Sequence, residues 1–543
     1  MAKKTTAKKA AAKKAPKKTK KAKKAKKVAS KKKAKKPAPD APATAAVNST
    51  LKPPPGGAAV RMYRIGHGDC FLIAFAGDNP DKPAYALIDC GYKPGSPAKL
   101  KPPTKVADIG ANILETTGGF VDVAIVTHEH QDHVNGLTST NFPDLKVGKV
   151  WFAWTENPDD DVANQLRKKF KDRLLGLIDE RANLMGLGNN AAAGELDWYL
   201  EFELGEEAEK YNGLAHAAAG GKDPAKSANK VAMKYLRECA PQDPEYLYPH
   251  EKIRPIPGAN GARAFVLGPP RDIDKIDDLD PIGDENFGHE MAAAGAGGTP
   301  AGPTTSPFPR RHALPLDQAF TDDKFGDFFE KRYGSSPVPE PGDGKEISSN
   351  AVWRRMTADD AMDAGALALA MNNATNNASL VLAFELSKNG KVLLFVGDAQ
   401  AGNWRSWTDG EFDDGGKTVT ATDLLERTVL YKVGHHGSHN ATLKGKVGSG
   451  RANLAVMAKG DSATEFVAMI TAVEAWAHQK PKPDWNHPLP AIKQALVEKA
   501  GGRVLQTDSN LPAGPVGAGA AGWQEFISRV TETPLYFDLI IEA

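Results

Sequence analysis

An α/β fold is what this 543-residue sequence predicts, on three observations. Strand patterns over residues 61–88 lead into a helical period at 106–117 and then an apolar strand at 121–126. Strand patterning returns four times between residues 379 and 458, and once more at 535–541. The content of 41% hydrophobic and 25% charged residues is that of a globular chain able to build a sizeable core. No apolar run approaches the ~20 residues of a membrane helix, so no membrane span is expected.

The elements follow in chain order. Residues 1–57 are Lys/Ala/Pro followed by Pro53-Pro54-Pro55-Gly56-Gly57, nearly without large apolar side chains. Nothing there offsets the entropy of ordering, so a disordered basic tail is expected over 1–57. Residues 61–65 and 71–75 read as strands around a Gly66-His67-Gly68-Asp69 turn, and 85–88 as a third strand halted by Asp89-Cys90-Gly91. Val106, Ile109, Ile113 and Leu114 mark one helix face, and Gly118-Gly119 stops the helix. Amphipathic helices are expected at 161–187 and 225–239, a Gly/Ala/Pro/Thr-rich loop at 288–309, and a strand at 264–270. Further strands are expected at 379–386, 391–396, 428–433 and 454–458, with a Gly/Ala linker at 512–522.

Charge is distributed unevenly. The first 40 residues hold 19 lysines against one acid, Asp40, so the other 503 carry −15 beneath a total of +3. A lysine tail of this kind attracts phosphates by counterion release, whatever the base sequence, so DNA or RNA is the expected partner. The same tail could instead only aid solubility. Three scattered cysteines (Cys70, Cys90, Cys239) argue against a disulfide framework and fit a reducing cytoplasm. The first residues carry no apolar h-region, so a cytoplasmic, nucleoid-associated protein is expected.

The segment richest in chemistry is Thr127-His128-Glu129-His130-Gln131-Asp132-His133, directly after the strand at 121–126. On a loop leaving a strand, alternate side chains share a face, so His128, His130 and Asp132 can enter one cavity while the turn brings His133 round. Imidazole and carboxylate suit zinc and other first-row divalent ions. With only 13 histidines in the chain, a chance surface turn of this composition is the poorer explanation. A second cluster, Gly434-His435-His436-Gly437-Ser438-His439, again follows an apolar strand, and Gly397-Asp398 places a carboxylate after a third.

In this order the pieces resemble the metallo-β-lactamase superfamily, and within it the soluble ComEC-type domain and its stand-alone relatives. The resemblance runs through Ile65–Ile73, Leu87-Ile88-Asp89-Cys90-Gly91, His128–His133, Phe265–Pro270, Asn376–Leu382, Leu394–Asp398, Lys432–Ser438 and Trp485-Asn486-His487-Pro488. It covers roughly residues 60–150 and 262–500, with 155–350 largely a helical and loop insertion. The implied fold is an αββα sandwich over residues 58–543, and the implied cofactors are two divalent ions, zinc or manganese. His128 and His130 look like ligands of one ion, and Asp132 and His133 like ligands of the other. Asp398 would bridge, and either His435 or His436 would complete the second site. Asp89 would orient the site by hydrogen bonds, and His487 would touch substrate or serve as an acid. Asn376, Asn377 and His67 would face the substrate, the asparagines alternatively capping the next strand. A third histidine for the first ion has no match here.

The resemblance implies a metal-dependent hydrolase using a metal-bridged hydroxide, with Asp132 central to the chemistry. The lysine tail and the N/O ligands point to phosphodiester or nucleic-acid substrates. The charge of −15 on the rest of the chain favours the alternative of a small ester, lactone or phosphoester. A third reading is a nucleic-acid-binding protein whose metal site is not catalytic.

Overall fold

The computed structural model describes residues 50–79, 81–186, 227–287, 373–478, 485–517 and 521–543, with isolated positions between 194 and 203 and residue 324. Lysine-rich residues 1–49 and the expected loop at 288–309 lie outside the described residues.

The N-terminal half contributes β1 (Ala58–Tyr63), β2 (Cys70–Phe75), β3 (Ala84–Cys90), β4 (Phe120–Val126), β5 (Lys146–Ala153) and β6 (Glu245–Leu247). Then come β7 (Arg254–Pro255), β8 (Arg263–Gly268), β9 (Val381–Glu385), β10 (Val392–Phe395), β11 (Glu411–Asp413) and β12 (Thr418–Thr420). The chain ends with β13 (Thr428–Lys432), β14 (Val467–Ile470), β15 (Val504–Gln506), β16 (Val530–Glu532) and β17 (Tyr536–Ile541). They form two large mixed sheets, ordered β16-β17-β1-β2-β3-β4-β5-β6 and β15-β14-β13-β10-β9-β8-β7, plus a β11-β12 ribbon. The last strand of the chain thus pairs with the first, Ala58 opposite Ile541 and Tyr63 opposite Tyr536.

Alternation sends one face of each sheet into a shared core. Phe71, Ile88, Ile125 and Trp151 of the first sheet join Phe384, Leu393, Phe395 and Met469 of the second in one buried cluster. Phe71 meets Phe395 edge to face at 5.2 Å, and each such fully buried side chain contributes roughly 1.5–3 kcal/mol. The opposite face of the second sheet (Phe265, Val381, Leu394, Tyr431) is covered by Trp404, Leu424, Leu425, Ile492 and Leu496 from three helices. On the first sheet, helix Val106–Thr117 buries Ile109 and Ile113, and ends where Gly118 turns left-handed at φ 64°.

Three expectations change. The packed body starts before residue 58, because Leu51 is buried and the carbonyl of Thr50 accepts from Arg61. Residues 245–268 are no insertion, since β6 extends the first sheet while β7 and β8 extend the second. Residues 454–458 are not a strand. The Asn453 side chain accepts from the Val456 amide at 3.1 Å and Ala458 sits at φ 50°, so this apolar run coils into the second core. Strands β5, β14 and β15, which the sequence reading did not single out, complete the sheets.

Arg61 ties the chain ends together. Its guanidinium forks onto Asp538 through two 2.7 Å hydrogen bonds, donates to Asn112 Oδ1 at 2.9 Å, and lies 3.6 Å over the Tyr536 ring. Substituting one partner strands a buried charge. Arg61→Met is expected to lower unfolding stability by about 3–5 kcal/mol in urea titrations, and Asp538→Leu added to it should recover much of that loss.

Candidate metal centre

The site is assembled at the carboxyl ends of β3, β4, β10 and β13, where parallel strands deliver side chains to one edge of an α/β sheet. Beyond β4 the chain bends at Thr127, is extended at His130, and then makes one helical turn, Gln131–Val134, which carries Asp132 and His133. Hydrogen bonds between main-chain groups bind the loops to one another: Asp69 N to Asp132 O (3.0 Å), Gly91 N to Asp69 O (2.9 Å) and Gly136 N to Cys90 O (2.8 Å). Gly91 has to be glycine, since a Cβ there would stand 2.3 Å from the His133 nitrogen. Gly397, at φ 53°, lets Asp398 approach Thr127, where a Cβ would meet the Thr127 side chain at 2.8 Å.

Asp132, His133, Asp398 and His436 offer ligand atoms within 4.8 Å of one another, all buried, and can hold a metal ion. Hydrogen bonding decides which imidazole nitrogens are free. His133 Nδ1 is 2.8 Å from the Asp89 carboxylate and His436 Nδ1 is 3.0 Å from the Thr471 carbonyl. The Asp89 carboxylate only accepts, so a neutral His133 donates from Nδ1 and keeps its lone pair on Nε2; His436 Nδ1 also lies 3.2 Å from the Thr471 hydroxyl, which can donate, so its proton can sit on either nitrogen. Both Nε2 atoms face carboxylates: His436 Nε2 is 2.9 Å from Asp132 Oδ2, and His133 Nε2 is 3.2 Å from Asp398 Oδ2 without hydrogen-bond alignment. An imidazole nitrogen set against a carboxylate in a dry site needs a cation between them, either a proton or a metal ion, and this donor set suits a divalent ion.

The charges agree. Asp69, Asp89, Asp132 and Asp398 stand against the ammonium groups of Lys93 and Lys432, leaving two negative charges to be compensated. Lys93 lies 3.1 Å from Asp132, and burial pulls its pKa down to about 8. Lys432 pairs with Asp69 and lies 3.4 Å from Asp398; burial opposes its charge, but these carboxylates outweigh burial and raise its pKa. Burial also opposes charge on Asp132 and Asp398, yet Lys93 and the imidazoles for Asp132, and His133 for Asp398, hold both well below the usual carboxylate range. For His133, burial is outweighed by Asp398, Asp69 and Asp89, which hold its pKa well above the ordinary value. Without metal, a proton on His133 answers the excess of negative charge.

His128 and His130 form an adjoining pair, with His128 Nε2 3.0 Å from His130 Nδ1 and Asn376 Oδ1 2.7 Å from the same Nδ1. Burial, then His133 and His130, lowers the His128 pKa well below its ordinary value. His435 and His436 both adopt left-handed backbone, φ 41° and 54°, a strained pair held partly by the His435 amide donating to Asp398 Oδ1 at 3.1 Å. This twist separates their side chains. His436 turns to Asp132, while His435 Nε2 lies 3.2 Å from Asn376 Nδ2 and 4.0 Å from Asp398, its pKa pulled down to about 3 by burial.

Asp89 accepts from the Thr127 amide (2.8 Å) and hydroxyl (2.7 Å) as well as from His133, so it acts through that imidazole. His67 and His487 stack at 5.5 Å beside Trp476, and His67 Nδ1 takes the Val473 amide proton at 3.1 Å. Asn377 does not face the site. Its nitrogen donates to the carbonyls of Lys275, Ile276 and Asp278 and its oxygen accepts from the amides of Gln400 and Asn403, so it pins a loop, which corrects the expected substrate contact. Lys93, Lys432, Asp69 and Glu203 went unassigned from sequence. Asp69 and Lys432 stood inside motifs already singled out, whereas nothing local marks Lys93 or Glu203.

No protein-family model matches the chain, and no curated protein matches it. Zinc-chelator competition checks the hydrogen-bond logic. His436→Ala should remove one bound ion, Asp89→Ala should weaken binding by about 10–100-fold, and His435→Ala should leave affinity within a few-fold.

Proposed function

We propose that the chain is a metallo-β-lactamase-type hydrolase, its two sheets the inner layers of an αββα sandwich, holding two divalent ions and cleaving phosphodiesters. The observation that supports this best is the buried quartet Asp132, His133, Asp398 and His436, whose ligand atoms lie within 4.8 Å of one another with both Nε2 atoms facing carboxylates. His128 and His130 would hold the first ion; the quartet would hold the second, with Asp398 shared. The ions, when bound, supply a nucleophilic water near neutral pH and neutralise charge developing on the substrate.

The chain's own groups do the rest. Asp132 and Asp398 stay ionised, and Asp89 keeps the His133 proton on Nδ1. His487, its pKa lowered well below the ordinary value by burial and then by His435 and His436, is neutral near pH 7. Its Nδ1 is 3.4 Å from His67 Nε2, whose ring carries its proton there because Nδ1 is taken by the Val473 amide. His487 therefore keeps its own proton on Nε2, a donor for a substrate oxygen. With two divalent ions, the excess of two negative charges becomes two positive ones, which suits an anionic phosphodiester. The net −15 outside the tail favours a small substrate as the second reading.

Two measurements test this. Asp132→Ala should cut turnover of bis(p-nitrophenyl) phosphate by at least about 100-fold, and full activity would refute the assignment. Deleting residues 1–49, which spares the buried Leu51, should weaken DNA binding and flatten its salt dependence. Unchanged nucleic-acid cleavage and salt slope would favour the small substrate.

A further inference from the structure

His130 has two ring nitrogens with different surroundings. Its Nε2 lies 3.0 Å from Oε1 of Glu203, in the stretch between β5 and β6, and its Nδ1 faces His128 Nε2 and Asn376 Oδ1. His130 is completely buried and the Glu203 side chain is 9% exposed, so water does not mediate this pair. Glu203 is itself held: its carbonyl accepts from Asn229 Nδ2 at 3.2 Å, and its carboxylate accepts from the Thr375 hydroxyl at 3.4 Å. Thr375 adjoins Asn376, so this carboxylate holds the residue next to the one whose Oδ1 lies 2.7 Å from His130 Nδ1.

Glu203 and Asn376 Oδ1 both only accept, so a neutral His130 can donate to one of them, and a ring that ligates through Nδ1 keeps its proton on Nε2, toward the charged Glu203. The lone pair then lies on Nδ1. On His128, Nδ1 is 3.2 Å from Thr127 Oγ1, whose hydrogen is already given to Asp89, so that oxygen can only accept. The Ser379 hydroxyl lies 3.1 Å from the same Nδ1 and can donate to it, so the His128 proton can sit on Nδ1, leaving the lone pair on Nε2, or on Nε2, facing His130 Nδ1. In either tautomer the 3.0 Å between His128 Nε2 and His130 Nδ1 is filled by a proton or by a cation, and a cation there meets both nitrogens.

We propose that Glu203 is the positioning residue of the first ion's site: by holding the His130 proton on Nε2, it presents Nδ1 beside His128 Nε2 to a divalent cation. The proposal rests on the two-ion reading above. It makes Glu203 part of the metal centre, in contact with His130 after β4 and with Thr375 ahead of β9. A carboxylate behind a ligating imidazole fixes ring orientation and raises ligand basicity, and its loss costs about 10–100-fold in metal affinity.

Zinc titration of the full chain, followed by calorimetry, tests this without reference to turnover. His128→Ala and His436→Ala identify the binding steps of the first and second ions. Glu203→Ala should weaken the step lost in His128→Ala by about 10–100-fold and leave the other within a few-fold. Glu203→Gln, whose amide oxygen still accepts from Nε2, should recover most of that affinity. Wild-type affinity for both ions in Glu203→Ala overturns the proposal. So does loss of both steps with a lowered melting temperature of the metal-free protein, which makes Glu203 a structural residue. A wild-type chain that binds no zinc at all defeats the two-ion reading itself, an outcome distinct from either.

Discussion

Four carboxylates buried within reach of one another are the constraint on which the rest of this structure turns. Asp69, Asp89, Asp132 and Asp398 are all nearly inaccessible to water, where an uncompensated charge costs several kcal/mol. Two lysine ammonium groups answer half of that charge, and a proton on His133 can answer more. The surrounding imidazoles of His133, His436 and His130 each turn one ring nitrogen outward, to Asp89, Thr471 and Glu203, and the other inward. Anions and lone pairs that converge in a dry place describe a cation site before any ion is named.

The fold supplies the positions. Parallel pairing of β3 with β4, and of β10 with β13, brings four loop starts to one edge, and main-chain hydrogen bonds then knit those loops. Local sequence serves that convergence at some cost in strain. Consecutive left-handed residues at His435 and His436 are unfavourable for side chains with a Cβ, and they persist because the Asp398 carboxylate and neighbouring backbone hold them. The same twist divides the labour of the two histidines, one toward Asp132 and the other toward Asn376.

The stretch between β5 and β6 reads from sequence as an insertion laid over the fold. Glu203 gives part of it a closer connection, in contact with an imidazole that faces the site. Further on, Asn377 fastens the loop at 275–278 to the segment that carries Asn376, so the second sheet and its covering loop set the angle from which Asn376 approaches His130. Lys93 stands at the other flank, 3.1 Å from Asp132, and brings positive charge into the cluster of carboxylates.

Much of the site was legible along the chain because strands announce themselves locally. An apolar run followed by His-x-His-x-Asp-His determines both the element and the ligand chemistry, and Gly397-Asp398 and His435-His436 repeat the device after later strands. Sequence alone could not decide which of two adjacent histidines, or which of two adjacent asparagines, turns inward. That choice is made by backbone twist at 435–436 and by carbonyls of a distant loop that claim Asn377. Lys93 and Glu203 were illegible for the same reason: charge pairing in a core acts through space, and their partners lie 39 and 73 positions away. The chain dictates the donors; only the closed fold, by excluding water, decides which of them face one another.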